Sequence, residues 1–175
     1  MSHYSTPAYF RAGLRQIIIS HQQFMPQITI ETRINAPLET CFDLARDIGL
    51  HCSTASRTKE RAIAGITTGK INLGESVTFE AVHFGVRQKF TACVTEFDRP
   101  NHFVDEMTKG AFKSMQHRHE FKALGAQTSM TDTLIWVSPF GILGIVFDKI
   151  LLEKHMRNFI IERNEKLKNV AERSF

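Results

Sequence analysis

Residues 141–171 read GILGIVFDKILLEKHMRNFIIERNEKLKNVA, a stretch without proline. Apolar side chains recur in it at steps of three and four, which predicts a helix with one apolar stripe. At about 1.5 Å per residue this helix would span roughly 45 Å, the width of a small domain. The predicted stripe comprises Ile142, Ile145, Lys149, Leu152, Met156, Phe159, Arg163, Leu167 and Val170. A helix of this length needs a large concave surface to cover, and the preceding sequence offers an antiparallel sheet.

The chain before this helix alternates between apolar and polar residues in several segments, which predicts β-strands. We place these strands at residues 27–35, 61–66, 75–84, 86–97, 102–108, 112–122 and 128–138. After the first strand, Pro37 begins a short helix, and a second short helix follows near residues 48–56. This order predicts an α+β, helix-grip fold, in which a curved antiparallel β-sheet wraps around a long C-terminal helix. Such a sheet leaves a pocket between itself and the helix.

Composition limits the classes of protein to which the chain can belong. Its 175 residues, of which 42% are hydrophobic, suit one globular domain. The three cysteines, Cys41, Cys52 and Cys93, have no metal-like spacing and indicate reduced thiols in a cytoplasmic protein. The net charge is +4 with scattered basic residues, so nucleic acid is not an expected partner. No apolar run reaches the ~20 residues of a transmembrane helix.

Residues 1–24 differ from the rest because they contain arginine but no acidic residue. One interpretation is an N-terminal extension, loosely packed or forming a short helix, with Met25 as an alternative start. An organelle transit peptide is the other, whereas the apolar run at 17–19 is too short for a secretory signal. We expect residues 25–175 to form a single domain.

The pair His117 and His119 is the strongest candidate for site chemistry. Two residues apart on a strand, they share a face with Met115 and Phe121 and are expected to point inward. Asp132 has inward parity on the next strand, where the hairpin would bring it beside one histidine. A buried carboxylate needs such a partner.

Three interpretations of this pair remain open: an internal His–Asp hydrogen bond, a polar anchor for a ligand, and a metal site. A metal site would need a third ligand such as His83 or Asp105, and we assign neither a metal nor a cofactor. Asp105 is a candidate acid or a counter-ion for Arg163, which would otherwise extend to water at the helix edge. The candidate catalytic residues are therefore His117, His119, Asp105 and Asp132.

The expected ligand-binding residues combine an aromatic and sulfur-containing wall with polar groups. They are Phe79, Phe90, Phe103, Met107, Met115, His117, His119, Asp132, Trp136, Met156, Phe159 and Arg163.

Several short motifs also carry a family resemblance. They are FVDEM (103–107), KGAF (109–112), HRHEF (117–121), Asp132 and SPFG (138–141). Together with the element order, they resemble the START-like superfamily, also called SRPBCC and polyketide cyclase-like, and within it a bacterial ligand-binding branch. Ala111 stands where that branch usually has proline, and Met115 where it commonly has tryptophan. The resemblance implies binding of a small hydrophobic ligand more directly than any reaction.

Three functions are consistent with these features. The first is a carrier or sensor of a lipid, isoprenoid, polyketide or aromatic metabolite. The second is an enzyme of the cyclase or dehydratase type that uses the histidines and aspartates as general acid or base. The third is a partner-binding module that exposes Phe140, Ile142 and Leu143. A homodimer is left open, and no nucleophile or phosphate-loop motif is present in the sequence.

Overall fold

The computed structural model describes residues 25–55, 58–139 and 151–174. The strands in these ranges are β1 (Gln27–Ile34), β2 (Arg61–Gly65), β3 (Ser76–His83), β4 (Val86–Asp98), β5 (His102–Lys109), β6 (Ser114–Leu124) and β7 (Gln127–Val137). The helices are α1 (Leu38–Ala45), α2 (Ile48–Thr54) and α3 (Glu153–Arg173). The extension expected at residues 1–24 lies outside the described residues, so it and the proposed single-domain span remain predictions.

The seven strands form one antiparallel sheet in the order β1-β7-β6-β5-β4-β3-β2. Consecutive strands from β2 to β7 pair with each other, and β1 pairs with β7 at the edge of the sheet. Register shifts in β4, between Thr91 and Ala92 and between Val94 and Glu96, are the irregularities by which antiparallel strands bend. Helix α3 packs against β1, α1 and α2. The predicted helix-grip architecture, with two short helices after the first strand, is confirmed.

Alternation along the strands fills one side of the sheet with apolar side chains. In β1, Ile28, Thr32 and Ile34 are buried while their neighbours are exposed. Phe42 of α1 lies at the centre of the larger core cluster. Its ring makes edge-on contacts, at centroid distances of 5.4, 5.5 and 5.4 Å, with Phe97, Phe103 and Phe121. This packing fills one end of the space between the sheet and α3.

The C-terminal helix is present, with a buried face that partly differs from the predicted stripe. Of the predicted stripe, Leu152, Arg163 and Leu167 are buried, whereas Val170 is 37% exposed. The face that contacts the sheet also contains Ile160, Asn164 and Ala171. An α-helix has 3.6 residues per turn, so residues 160, 164, 167 and 171, spaced three or four apart, lie on the same face. The predicted start of this helix, at 141–150, lies outside the described residues. None of the described helices is long and apolar enough to cross a membrane.

The position of the buried face can be tested by truncating one residue on it and one beside it. Leu167→Ala should lower the free energy of unfolding by about 2–5 kcal/mol, because it opens a cavity in the main core. Val170→Ala should change it by less than about 0.5 kcal/mol, because Val170 is exposed to solvent. Urea unfolding followed by circular dichroism measures both values. Equal losses would show that the helix packs on the sheet in another orientation.

Candidate functional site

A cavity of about 360 Å³ lies between the concave face of the sheet and α3. Its wall is mainly apolar, since the inward positions of β3, β4 and β5 carry aromatic and small aliphatic side chains. Most of the predicted wall residues line it, namely Phe79, Phe90, Phe103, Met115, Met156 and Phe159. Further apolar lining residues include Leu134, Ile160, Ala81 and Ala92.

Two residues expected in the wall lie elsewhere. Trp136 is fully buried, and it packs in a second core cluster with Leu134, Leu152 and Ile160. It faces inward as expected, but the start of the C-terminal helix covers it. Met107 does not line the cavity. Its sulfur packs against Gly110 and occupies the space that a Cβ atom at that position would need.

One polar cluster in the wall comes from β5 and β6. His117 and His119 point inward, as the alternation of β6 predicts, and their ring centroids are 3.9 Å apart. Asp105 of β5 is the direct cross-strand partner of His117, and its Oδ2 lies 3.3 Å from Nε2 of His119. All three side chains line the cavity.

Asp132, which was also expected to contact the ligand, does not line the cavity; it lies behind the two histidines and is 1% exposed. Its Oδ1 is 2.9 Å from Nε2 of His117 and 2.7 Å from Nδ1 of His119. The first contact is a well-directed hydrogen bond, whereas the second is a close ion-pair contact outside hydrogen-bond geometry. The expected contact between Asp132 and one histidine is therefore confirmed, and a single carboxylate serves both rings.

Helix α3 supplies the remaining partner of Asp132. Nδ2 of Asn164 donates to Asp132 Oδ2 at 2.6 Å and to Thr32 Oγ1 at 3.2 Å. Asn164 is 1% exposed and thus connects β1, β7 and α3 inside the core. Asn164 was not among the residues predicted from the sequence. The sequence feature that could have indicated it is a polar residue next to Arg163, on the helix face that packs on the sheet.

The charges of this cluster follow from competition between burial and pairing. Burial raises the pKa of Asp132, but His119 and His117 outweigh it and hold that pKa well below its ordinary value. Burial lowers the pKa of His119, but Asp132 and Asp105 outweigh it, so the net change is upward. For His117, burial and the neighbouring His119 lower the pKa to about 4. Without a ligand or metal, His117 is therefore neutral at neutral pH.

Asp105 and Arg163 do not form the expected ion pair. Burial raises the pKa of Asp105, but the hydrogen bond from His119 and the charges that both histidines carry at acid pH outweigh it and leave that pKa lowered. Arg163 is 5% exposed, which contradicts the alternative that it extends to water. Its Nη2 donates to the backbone oxygen of Ala45 at 3.2 Å. Arg163 lines the cavity from α3, and His119 is the counter-ion of Asp105.

Two further polar pairs line the cavity, and sequence reasoning did not find them as pairs. His51 of α2 contacts Glu60 at 2.6 Å and stacks on Phe79. Nδ1 of His83, at the end of β3, lies 3.0 Å from Nε2 of His155 in α3. Each pair joins residues that are distant in sequence or lie in different elements, and local periodicity gives no signal for such contacts.

Solved structures with the same architecture are known. The protein TTHA0849 from Thermus thermophilus has a TM-score of 0.68 at 20% identity, over 82% of this chain and 95% of that chain. The Zhui aromatase/cyclase from Streptomyces sp. R1128 has a TM-score of 0.68 at 14% identity, over 85% and 94%. Major latex-like protein 151 from Panax ginseng has a TM-score of 0.63 at 10% identity, over 84% and 97%.

The chain has the START-like (SRPBCC) fold. No protein-family model and no curated protein sequence matches it. Because the identities to these START-like structures are low, the likeness establishes the fold, and arguments about the ligand must come from the cavity itself.

Removal of the amide that holds Asp132 should destabilise the protein. Asn164→Leu leaves a buried carboxylate without one of its donors, which should cost about 2–3 kcal/mol of unfolding free energy. The same substitution at the exposed Asn158 of α3 is the matched control and should cost less than about 0.5 kcal/mol. Denaturant unfolding measures both. A neutral effect of Asn164→Leu would show that Asp132 does not depend on this contact.

The pairing of Glu60 with His51 should make stability depend on pH. Burial raises the pKa of Glu60. His51 lowers it through its charge and its hydrogen bond, and this effect is larger, so the pKa of Glu60 lies below the ordinary value of 4.5. A lowered pKa gives stability that is present above the ordinary value and is lost as the pH falls below it. Glu60→Gln should therefore flatten the fall in unfolding free energy between about pH 6 and pH 3. Substitution of the exposed Glu120 by Gln is the control, and an unchanged slope in Glu60→Gln would contradict the pairing.

Proposed function

We propose that this chain binds a small hydrophobic molecule in the cavity between sheet and helix, as a carrier or sensor. The observation that carries this proposal is a cavity of about 360 Å³ with a mainly apolar wall that includes the polar cluster of β5 and β6. This volume falls in the range of about 300–1,000 Å³ that is usual for small-molecule sites. Lipids, isoprenoids, polyketides and aromatic metabolites are the classes that such a wall accepts.

The two parts of the wall favour an amphipathic ligand held in one orientation. Phe79, Phe90 and Phe159 offer aromatic surface to its apolar body. His117 and Asp105 offer a ring nitrogen and a carboxylate oxygen to its polar end. A hydroxyl or enol can donate to either group, so a ligand with one such end suits this cavity best.

A second function, acid–base catalysis, is favoured by one specific observation. Nε2 of His117 is occupied by Asp132, which leaves Nδ1 without a partner among the described residues. A free ring nitrogen in a mainly apolar cavity, next to Asp105, can accept a proton from a ligand. One START-like neighbour is named an aromatase/cyclase, and that name describes the neighbour. A carrier would release its ligand unchanged, whereas an enzyme would convert a keto-containing polyketide and lose this activity in His117→Gln.

The partner-binding alternative rested on Phe140, Ile142 and Leu143, which lie outside the described residues. It therefore remains a prediction.

The ligand-binding proposal is tested by filling the cavity. Ala92 is buried on β4 and lines the cavity, so Ala92→Phe should place a ring in the space of the ligand. We expect the affinity for the neutral apolar dye N-phenyl-1-naphthylamine to fall at least about tenfold, a loss of roughly 1.4 kcal/mol or more. Fluorescence titration measures the affinity, and circular dichroism confirms that the variant is folded.

Ala123→Phe is the matched control, because Ala123 is exposed on β6 and does not line the cavity. It should bind the dye as the parent protein does. If Ala92→Phe does not fold, Ala81→Phe fills the same cavity from β3. No dye binding by the folded parent protein, or equal binding by the cavity-filling and control variants, would contradict the proposal.

A further inference from the structure

We propose that Asp105, His117 and His119 form a binding site for a divalent first-row transition metal, of the Zn²⁺ or Fe²⁺ class, on the cavity wall. One donor atom from each of these residues lies within 4.8 Å of the other two. Two imidazoles and one carboxylate are a ligand set found in catalytic zinc sites and in non-haem iron sites. Hydrophobic ligand binding, as proposed above, neither requires this site nor implies it.

The spacing of two of the donor atoms fits a shared ion. Nε2 of His119 and Oδ2 of Asp105 are 3.3 Å apart, which is long for a charge-assisted hydrogen bond of about 2.7–2.9 Å. Bonds of about 2.0–2.1 Å place neighbouring ligand atoms of a tetrahedral ion roughly 3.3 Å apart. The third donor is a ring nitrogen of His117, whose Cα pairs directly with that of Asp105 across the sheet.

The opposite side of each ring is held as metal-binding histidines require. Asp132 accepts from Nε2 of His117 and contacts Nδ1 of His119. A ligating histidine usually gives its second nitrogen to a carboxylate or carbonyl, which fixes both tautomer and ring orientation. These contacts leave Nδ1 of His117 and Nε2 of His119 for a metal. Asn164 in turn fixes Asp132 at 2.6 Å.

Charge and access also suit a divalent cation. Metal binding requires both imidazoles to be neutral and therefore releases the proton of His119; Asp105 and Asp132 then carry two negative charges, which one divalent ion balances. The nearest other buried cation, Arg163, donates to the backbone of Ala45 and does not pair with these carboxylates. All three ligands line the cavity, so further coordination positions face the space where a small molecule would lie. A bound metal would thereby hold the polar end of that molecule directly.

Cobalt and zinc titrations of the untagged full chain test the site. After treatment with a chelator and its removal, we expect one Co²⁺ per chain, with visible absorption typical of a four- or five-coordinate centre, and displacement by Zn²⁺. Asp105→Asn and His117→Gln should each weaken Co²⁺ binding at least tenfold. Asp132→Asn should weaken it about 10–100-fold, as loss of a supporting carboxylate does.

His102→Gln is the matched control, because His102 lies on β5 near Glu96 and Asp98 and could bind metal adventitiously. It should leave Co²⁺ binding unchanged. Absence of stoichiometric Co²⁺ and Zn²⁺ binding, equal affinities in the parent, Asp105→Asn and His117→Gln proteins, or loss of binding in His102→Gln would overturn the proposal. Circular dichroism checks that each variant is folded. If Asp105→Asn does not fold, the Co²⁺ affinity of His117→Gln decides whether the metal site exists. Dye binding by the metal-free protein separates failure of this site from failure of the cavity.

Discussion

A buried carboxylate sets the strongest constraint on this structure. Asp132 is 1% exposed, and an ionised group so far from water is stable only when its oxygens are paired. Its partners come from two elements, the histidines of β6 and Asn164 of α3. The C-terminal helix can therefore lie across the sheet only where Asn164 reaches Asp132. Apolar packing by itself would tolerate small shifts of α3. The hydrogen bonds around Asp132 do not tolerate such shifts, because they require fixed distances and directions.

The same contacts determine the character of the cavity. Asp132 contacts both histidines, and the two rings line the cavity beside Asp105. The core around Phe42 fills one end of the concave surface, so the void is confined between the central strands and the first half of α3. The proposed binding of a hydrophobic ligand and the proposed binding of a metal both use this cavity, though neither requires the other.

The sequence predicted best those features that depend on local periodicity. Alternation along β6 and β7 was sufficient to turn His117, His119 and Asp132 inward, because strand geometry fixes the side to which each residue points. It could not show which inward residues line the void. Trp136 and Met107 have the expected parity, but the path of the C-terminal helix and the missing side chain at Gly110 decide where they pack. Asn164 escaped prediction because its role depends on a contact between elements far apart in sequence.

The site depends on the hydrogen bond from His117 to Asp132, and the tautomer of His117 tests this bond most directly. Two-bond ¹H–¹⁵N correlation spectra of the metal-free protein at neutral pH identify which ring nitrogen carries the proton. The structure predicts protonated Nε2 and unprotonated Nδ1 for His117. The Nε2 proton should exchange slowly with solvent, and its NMR signal should disappear in Asp132→Asn. A protonated Nδ1, or rapid averaging of the two tautomers as expected for a solvated histidine, would contradict the account.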